Sequence, residues 1–370
     1  MKCLAILVNF HCAKLIVEAV DSLAHDPECD WIHVVDNSES ELEAAWLQKN
    51  LPARVKLIVS GTNIGFGQAC NLALEGIHPD SVLLLNPDAR LMPGALGWLK
   101  KTLSTSKDVG AVGPRVFWDD ACHFLMPPST YPSKQGHVTD LLGHRWAWMN
   151  AMKAKQFRRK SMIYWSANNP VRVSALSGGH VLLRYQAVIS VSGLFDSAFF
   201  MYWEDSDLMR RLNDGGWKLF MEPCAKAVHW YEHSASKDQM LDHGWPAFRE
   251  KYFSNWFWRK LTHFAHSRRR GSRTRNLTRL TSPTATGFIM KVPTHLHASW
   301  VLEVSPSIEF VPSIGRFGHG PEALLPIQLA TRFKDRDYYI RVGGVDSLSD
   351  GYETFVFNIT QQPNNFAEQG

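Results

Sequence analysis

The chain has 370 residues, of which 45% are hydrophobic and 20% charged, as is typical of a folded globular protein long enough for two domains. Its six cysteines are scattered without a CxxC pair, which argues against a disulfide framework or zinc ribbon and favours the reducing cytoplasm. No apolar run approaches the length of a membrane span, and the polar residues of the first strand argue against a signal peptide. The net charge of +5 is modest, and we expect no nucleic-acid partner.

Residues 1–115 alternate between strand and helix patterns. Apolar runs such as "CLAILVNF" and "SVLLLNPDA" predict buried strands, and "AKLIVEAVDSLA" has helical spacing. This βαβαβαβ order predicts a parallel sheet with helices on both faces, in which ligands bind at the carboxyl ends of the strands. The polar residues at those ends are Asn9, His11, Asp36, Asn37, Ser38, Asn86 and Asp88.

The middle of the chain has a weaker pattern. We interpret residues 116–170, which are rich in Pro, Trp and Lys, as an irregular insertion over the cleft. The stretch "VRVSALSGGHVLLRY" predicts two strands around a Gly-Gly break. The acidic stretch "EDSDLMRRLNDGG" predicts a helix that begins near Asp205, and "WKLFMEP" and "AKAVHW" predict two short strands.

The last third divides into a helical segment, a linker and a β-rich region. An aromatic and basic segment, "YFSNWFWRKLTHFAHSRRR", favours a helix that either lies on an anionic membrane surface or packs its rings between two domains. Residues 271–286 are rich in Arg, Ser and Thr and indicate a linker. Short strand patterns from Phe288 onward predict a small all-β domain, sandwich-like, through which the protein could form oligomers. The predicted units are 1–245, 246–286 and 287–370.

Two motifs in the first unit suggest a nucleotide site. Asp36 in "VVDNS" either accepts hydrogen bonds from a base or ribose, or caps the following helix. The glycines of "GTNIGFGQACNLAL" allow the backbone to approach a phosphate or ribose. Gly65-Phe66-Gly67 also resembles a dinucleotide fingerprint, although Cys70 stands where Gly or Ala belongs and the motif follows the third strand.

A third motif, "LLLNPDAR", suggests a cation site. Pro87 ends the buried strand and leaves Asn86 and Asp88 at the edge of the sheet, on the same side of an extended chain. Mg²⁺ and Mn²⁺ prefer oxygen ligands and commonly use one or two carboxylates plus the phosphates of a substrate. The alternative is a plain Asn-Pro-Asp turn.

The stretch "FFMYWEDSDLMRR" places three carboxylates, Glu204, Asp205 and Asp207, directly behind a run of aromatic residues. A carboxylate among aromatic rings has a raised pKa, which suits a general base. The alternative is an acidic first helical turn favoured by the helix dipole, with Tyr202 and Trp203 as core residues. The arginines Arg210 and Arg211, one turn further on, are candidates to pair with Glu204 and Asp207.

Five motifs occur in order along residues 3–240: "VVDNS", "NIGFGQACNLAL", "LLLNPDA", "SGGHVLLRY" and "FFMYWEDSDLMRRLNDGGW". Together they resemble glycosyltransferase family 2, especially its bacterial rhamnosyltransferase-like branch. The resemblance implies a GT-A fold, a nucleotide-sugar donor, a divalent metal, Mg²⁺ or Mn²⁺, and inversion at the anomeric carbon.

The resemblance also implies a role for individual residues. In the nucleotide-sugar site, Asp36 would contact the base or ribose, and Asn63, Gly65 and Gly67 would line the nucleotide. "NPD" resembles the family's DXD motif, so Asp88 would contact the metal and Asn86 would stand where the family has its first acid. His229 would help hold the metal or diphosphate, with His233 as the competing candidate. Asp205 matches the general base, and Glu204 and Asp207 match its flanking acids.

We therefore expect an inverting glycosyltransferase that acts in bacterial surface-polysaccharide assembly. The expected donor is dTDP-rhamnose or another dTDP- or UDP-sugar, and the expected acceptor is a glycan or a lipid-linked glycan. The expected location is cytoplasmic, with a peripheral contact to an anionic membrane. Two alternatives stay open at this point: an NAD(P)-dependent oxidoreductase, and a catalytically silent protein that binds glycans or lipids.

Overall fold

The computed structural model describes residues 1–143, 146–230, 235–266, 277–280, 286–330, 332, 337–345 and 354–357. The centre of the first two thirds is a nine-stranded sheet. Its strands are β1 Cys3–Asn9, β2 Trp31–Asp36, β3 Val55–Val59, β4 Ser81–Leu85, β5 Ala89–Leu91, β6 Val109–Phe117, β7 Val171–Val173, β8 His180–Arg184 and β9 Lys218–His229.

The strand order of this sheet is β3-β2-β1-β4-β8-β6-β9-β5, and β7 pairs with β9 outside that path. Strands β1 to β4 run parallel to one another, as do β6 and β9. Strand β8 lies antiparallel between β4 and β6, and β5 and β7 run antiparallel to β9. The α/β class with a mainly parallel central sheet is therefore confirmed.

Helices cover both faces of the sheet because β1 is apolar on both sides. Its residues Cys3, Ala5 and Leu7 point into one core cluster, and its residues Leu4, Ile6 and Val8 point into another. The helices are α1 Ala13–Ala24, α2 Glu41–Asn50, α3 Phe66–Leu74, α4 Ala95–Leu103, α5 Lys134–Gly143, α6 Ala147–Ser166, α7 Tyr185–Ser190, α8 Glu204–Asp214, α9 Ala235–Phe253 and α10 Trp256–His266. Helices α1, α2 and α4 pack on the first face, and α3, α7 and α8 on the second.

The structure corrects two expectations for the middle of the chain. Residues 116–170 are not an irregular insertion, because they contain α5 and the 20-residue helix α6. The two short strands expected around Pro223 form the single strand β9. The proline is accommodated by a register shift, in which Pro114 pairs with Glu222 while Arg115 pairs with Lys226.

Several rings of the aromatic segment after residue 245 pack against earlier parts of the chain. Phe248 and Phe253 of α9 and Trp258 of α10 form a buried cluster with Phe199, and His137 of α5 lies 4.3 Å from Phe253 between ring centroids. The predicted boundary at residue 245 falls inside α9. The linker expected at 271–286 lies almost wholly outside the described residues.

The C-terminal region is all-β apart from short helical turns, as expected. Its elements are β10 Thr278–Leu280, β11 Gly287–Lys291, β12 Trp300–Ser305, β13 Ile314–Gly318, β14 Glu322–Pro326, β15 Tyr338–Gly343 and β16 Thr354–Phe357, with the 3₁₀ turn Thr294–Leu296 and α11 Ile327–Ala330. One sheet has the order β10-β16-β15-β12-β13, and β11 pairs with β14. Both sheets contribute to a common core, which is the arrangement of a small sandwich.

This region is joined to the first two thirds by polar and apolar contacts. Trp118 and Phe124 extend into its core, and the backbones of Leu125 and Gly315 exchange two hydrogen bonds of 2.7 and 3.0 Å. Arg158 of α6 forms a buried ion pair of 3.0 Å with Glu303 of β12. None of the helices that the structure describes is both long and apolar enough to cross a lipid bilayer.

Candidate active site

The strand register brings the predicted site residues to one edge of the sheet. Asn9 at the end of β1 is paired with Asp36 at the end of β2. His180 begins the antiparallel strand β8 opposite Leu85, the last residue of β4. His229 ends β9 opposite Ala89, one residue after Asp88. Residues that lie up to 220 positions apart in the chain therefore share the carboxyl edge of β1, β2 and β4.

Asp88 and His229 form a pair at this edge. The Nε2 atom of His229 lies 3.1 Å from Oδ1 of Asp88, and the carboxylate remains about a quarter exposed while the imidazole is buried. The backbone N–H of Trp230 donates to the Asp88 carbonyl at 3.0 Å, which fixes the spacing of the two chain segments. The competing candidate His233 lies outside the described residues.

A second histidine stands beside this pair. The ring of His180 meets that of His229 edge-on, with centroids 5.4 Å apart. Burial, with a smaller contribution from His229, lowers the pKa of His180 to about 3, so its imidazole is neutral at pH 7. Among the residues that the structure describes, no three His, Cys, Asp or Glu side chains converge as a complete metal site.

The glycine pair before β8 lies between Asn86 and Asp205. The Asn86 N–H donates to the Gly179 carbonyl at 2.8 Å, and a Cβ on Gly179 would stand 2.6 Å from the Asn86 amide nitrogen. A Cβ on Gly178 would stand 3.1 Å from the Cβ of Asp205. The absence of side chains at 178 and 179 therefore allows the "NPD" turn and the acidic helix to approach each other.

Asp205 lies in the first turn of α8 and accepts two backbone hydrogen bonds. Its Oδ1 accepts from the N–H of Ser206 at 2.6 Å, and its Oδ2 accepts from the N–H of Gly178 at 3.4 Å. Burial raises the pKa of Asp205 while these two donors lower it, so the group is desolvated yet its anion is supported. The residue as a whole is partly exposed.

Helix α8 begins abruptly. Tyr202 and Trp203 both have positive φ angles, of 63° and 71°, and Trp203 is the residue before the helix. Bulky residues rarely adopt this left-handed conformation, and such strained positions cluster at functional sites. The backbone therefore turns sharply at the two residues that directly precede Glu204 and Asp205.

Glu204 and Asp205 form a coupled acidic pair. Burial, followed by the charge of Asp205, raises the pKa of Glu204 to about 8. Its buried Oε2 has no hydrogen-bond partner among the described residues. Because burial raises the pKa of Glu204 above neutrality, Glu204 holds a proton at pH 7, whereas the two N–H donors to Asp205 favour the anion of that group.

Asp207 is fully buried and its charge is fully compensated. Its carboxylate accepts from Arg211 at 2.7 Å, from Lys251 at 2.6 Å and from the Tyr252 hydroxyl at 2.6 Å. These partners join α8 to α9, and the expected pairing of Asp207 with Arg211 is present. Asp207 therefore holds the helix in place, whereas its role as an acid beside the base stays a prediction.

Asp36 is buried at the carboxyl end of β2. Its Oδ1 accepts from the Asn9 side chain at 2.8 Å and from the Ser38 N–H at 3.2 Å. It does not cap the following helix, because Ser40 takes that position and accepts from the Glu43 N–H at 3.3 Å. Contact between Asp36 and a base or ribose stays a prediction.

Asn63 and the two glycines form the loop that leads into α3. Asn63 accepts from the Asn37 side chain at 2.8 Å and from the Gly65 N–H at 3.1 Å. Gly65 has a φ of +82°, and a Cβ there would stand 2.3 Å from the Phe200 carbonyl oxygen. A Cβ on Gly67 would stand 3.1 Å from the Phe195 Cβ. Both glycines are thus required by packing against residues 195–200, and their contact with a nucleotide stays a prediction.

The site includes residues that motif reasoning did not assign to it: Gly178, Gly179, His180, Asn9 and Asn37. The signal for the first three was present in "SGGH", since two glycines before a histidine at the start of a strand indicate close backbone approach. Asn9 and Asn37 were marked only as polar residues at the ends of strands, because their hydrogen-bond partners Asp36 and Asn63 come from other loops.

Comparison with known proteins finds similarity in the first two thirds of the chain. The model of the family "Glycosyltransferase like family 2" matches residues 3–245. The N-acetylglucosaminyl-diphospho-decaprenol L-rhamnosyltransferase of Mycobacterium tuberculosis (strain H37Rv) is 31% identical over 205 residues, which are 50% of this chain and 61% of the relative. Rhamnosyltransferase WbbL of Escherichia coli (strain K12) is 31% identical over 235 residues, 62% of this chain and 83% of the relative.

Among solved structures, mannosyltransferase PcManGT from Pyrobaculum calidifontis, in complex with GDP-Man and Mn²⁺, superposes with a TM-score of 0.47 at 14% identity. The superposition covers 72% of this chain and 69% of that one. The chain spans about three fifths of the length of the mycobacterial relative that it matches. The oxidoreductase alternative is not favoured, because the family match extends over the supposed dinucleotide fingerprint. The chain belongs to the glycosyltransferase-like family 2.

Proposed function

We propose that the protein transfers a sugar, with inversion, from a nucleotide-sugar donor to a glycan or lipid-linked glycan during bacterial surface-polysaccharide assembly. One observation carries this proposal: Gly178 and Gly179 lie between Asp205 and Asn86, and Asn86 belongs to the same turn as Asp88 of the Asp88–His229 pair. We propose that the desolvated carboxylate of Asp205 is the base and that the polar pair binds a diphosphate. Such a pairing serves displacement at an anomeric carbon better than it serves hydride transfer.

A divalent cation fits the polar pair. Asp88 supplies a partly exposed carboxylate oxygen, His229 supplies an imidazole nitrogen 3.1 Å from it, and Asn86 has its amide on the same turn. Two protein ligands are too few for a closed site, but Mg²⁺ and Mn²⁺ commonly complete their coordination with substrate phosphates. When bound, the cation would neutralise the charge that develops on the leaving diphosphate.

In the chemistry we propose, Asp205 acts as the general base. The acceptor hydroxyl transfers its proton to Asp205 while its oxygen attacks C1 of the donor sugar. The bond between C1 and the diphosphate oxygen breaks on the opposite face, and the nucleoside diphosphate leaves with both bonding electrons. Glu204 stays protonated and uncharged, so it does not repel the electron-rich oxygen of the attacking acceptor.

For the substrates we follow the relatives. Both relatives quoted are named rhamnosyltransferases, and the mycobacterial name gives an N-acetylglucosaminyl-diphospho-lipid as the acceptor. We therefore propose rhamnose, carried by dTDP, as the donated sugar and an N-acetylhexosamine on a lipid diphosphate as the acceptor. In this proposal the nucleotide is bound by Asp36, Asn63, Gly65 and Gly67.

The test is nucleoside diphosphate release by the purified protein. A panel of dTDP-, UDP- and GDP-sugars is offered with Mn²⁺ and a soluble N-acetylglucosaminyl-diphospho-alkyl acceptor, and thermal stabilisation is recorded in parallel. We expect stabilisation by dTDP-rhamnose and acceptor-dependent release of dTDP, with loss of both on chelation by EDTA. Stabilisation by NADH, or turnover that persists unchanged in EDTA, would contradict the assignment.

We also propose a peripheral contact between α10 and an anionic membrane. Trp256, Phe257 and Phe264 are exposed, Trp256 by 69%, whereas the rings on the other side of α10 are buried. Trp146, before α6, meets Phe264 at 6.3 Å between centroids and extends this aromatic surface. Aromatic rings beside lysines and arginines are typical of helices that lie in the headgroup region.

Vesicle co-sedimentation tests this contact. The protein should bind vesicles that contain phosphatidylglycerol and bind pure phosphatidylcholine weakly, and the double variant W256S/F264S should lose the binding. The control is Trp98→Ser, which removes an exposed tryptophan from α4. Equal loss in the control, or no binding by the unsubstituted protein, would refute the proposal.

A further inference from the structure

A cavity of about 260 Å³ opens between the histidines of the active site and the C-terminal β region. One wall is formed by Ser177, His180 and His229, and the opposite wall by Val304, Pro306 and the residues from Pro312 to Ile314. The segment from Val116 to Ser129, together with Tyr164 of α6, closes the remaining sides. The cavity is therefore shared by the two parts of the chain.

The position of the cavity connects it to the reacting groups. Ser177 and His180 flank the glycine pair, and the N–H of Gly178 donates to Asp205. His229, on the same wall, contacts Asp88. Gly178 therefore lies between a molecule in this cavity and the proposed base Asp205, and His229 lies between that molecule and the proposed diphosphate contact Asp88. Asp36 ends β2 and Asn63 follows β3, at the other end of the strand order.

We infer that this cavity receives the acceptor sugar as a single unit with an apolar face, so that the C-terminal β region takes part in acceptor selection. The inference rests on the function proposed above and adds where the acceptor binds. A cavity of 260 Å³ lies below the range of about 300–1,000 Å³ that is usual for drug-sized ligands, which suits one sugar ring rather than an oligosaccharide.

The lining has the mixed character that a sugar requires. Trp118, Met126 and the prolines supply apolar surface for C–H groups, and the serines supply hydroxyls for orientation. His180 also lines the cavity, and its Nδ1 has no hydrogen-bond partner among the described residues. This imidazole therefore has hydrogen-bonding capacity that the described protein atoms leave unused.

The C-terminal wall is held firmly in place. Glu303 of β12 is buried and accepts from Arg158 of α6 at 3.0 Å and from Arg341 of β15 at 3.0 and 3.1 Å. Ser313, which lines the cavity, lies 3.5 Å from the same carboxylate. The wall is thus a fixed surface, as acceptor positioning at a reaction centre requires.

The test fills the cavity from either side. Ile314→Trp fills it from the C-terminal wall, with Ile289→Trp, an exposed isoleucine of β11, as its matched control. Ser129→Trp fills it from the other part of the chain, with its exposed neighbour Thr130→Trp as control. If one filling variant fails to fold, the other decides, because Ile314 lies in β13 and Ser129 lies in the loop between β6 and α5.

Two readouts are measured on folded protein: saturation-transfer NMR of methyl N-acetylglucosaminide, and thermal stabilisation by dTDP with Mn²⁺. We expect the filling variants to weaken sugar binding by about tenfold or more, equivalent to about 1.4 kcal/mol, while stabilisation by dTDP is unchanged. The controls should match the unsubstituted protein. Unchanged sugar binding in a folded filling variant, or no binding by the unsubstituted protein, would overturn the inference. Sugar binding without any nucleotide-sugar turnover would instead overturn the proposed function alone.

Discussion

The buried carboxylate of Asp207 gives a prediction that separates structure from chemistry. Asp207→Asn keeps the size of the side chain but removes a charge that Arg211 and Lys251 contact at 2.7 and 2.6 Å. Breaking a buried ion pair by removing one partner costs about 3–5 kcal/mol. Arg211 keeps its hydrogen bonds to backbone carbonyls of 191–194, and Lys251 keeps Asp196, so the lower end of that range applies.

We therefore expect Asp207→Asn to lower the free energy of unfolding by about 3 kcal/mol, which for a chain of 370 residues corresponds to a fall in Tm of roughly 4 °C. Urea unfolding followed by circular dichroism measures the first quantity, and calorimetry the second. The control is Asp196→Asn, which removes the other, partly exposed partner of Lys251 and should cost less than about 1 kcal/mol. If Asp207→Asn abolished turnover while the unfolding free energy stayed at that of the unsubstituted protein, Asp207 would be a member of the catalytic site, and our assignment would be wrong.

Two further variants test the surroundings of the base. Gly179→Ala should displace the Asn86 side chain, because the new Cβ would stand 2.6 Å from its amide nitrogen. We expect the affinity for dTDP with Mn²⁺, measured by thermal stabilisation, to fall by about tenfold. Gly97→Ala, whose Cβ would meet only an ordinary van der Waals contact, should leave this affinity unchanged. Glu204→Gln should flatten the dependence of stability on pH. Because the pKa of Glu204 is raised to about 8, the stability that its neutral form contributes is present at acidic pH and lost as the pH rises through 8. At about 1.4 kcal/mol per pKa unit, the shift from 4.5 to about 8 predicts that Glu204→Gln gains on the order of 5 kcal/mol relative to the unsubstituted protein as the pH rises from 4 to above 8. Parallel curves of stability against pH in urea unfolding would contradict this.

The elements that local patterns specify were predictable. The apolar runs of the first 115 residues identified the parallel strands, because β1, β2 and β4 are buried on both faces. The position of "NPDA" after such a strand placed Asp88 at the sheet edge, and the acidic stretch placed Asp205 at the start of a helix. These predictions need only neighbouring residues.

Features that depend on distant partners were not predictable. Gly65 is a glycine because Phe200 approaches it from 135 residues away. Helix α6 was interpreted as irregular because it lacks a single apolar face; its Trp165 packs into one cluster while its Arg158 reaches Glu303. The family resemblance singles out Asp205 among the three acids of α8, but the partners of these acids were not predictable: two backbone N–H donors for Asp205, and an ion pair with Arg211 and Lys251 for Asp207.

The most direct test of the central claim is the transfer rate of Asp205→Asn under conditions in which donor binding is shown to be intact. Asn keeps an oxygen for the N–H of Ser206 but cannot accept the acceptor's proton. We predict that kcat falls by about 10²–10⁴-fold while stabilisation by dTDP and Mn²⁺ is unchanged, since general-base catalysis contributes in that range. A folded Asp205→Asn variant that transfers the sugar to the acceptor, and releases dTDP, at the rate of the unsubstituted protein would contradict the account.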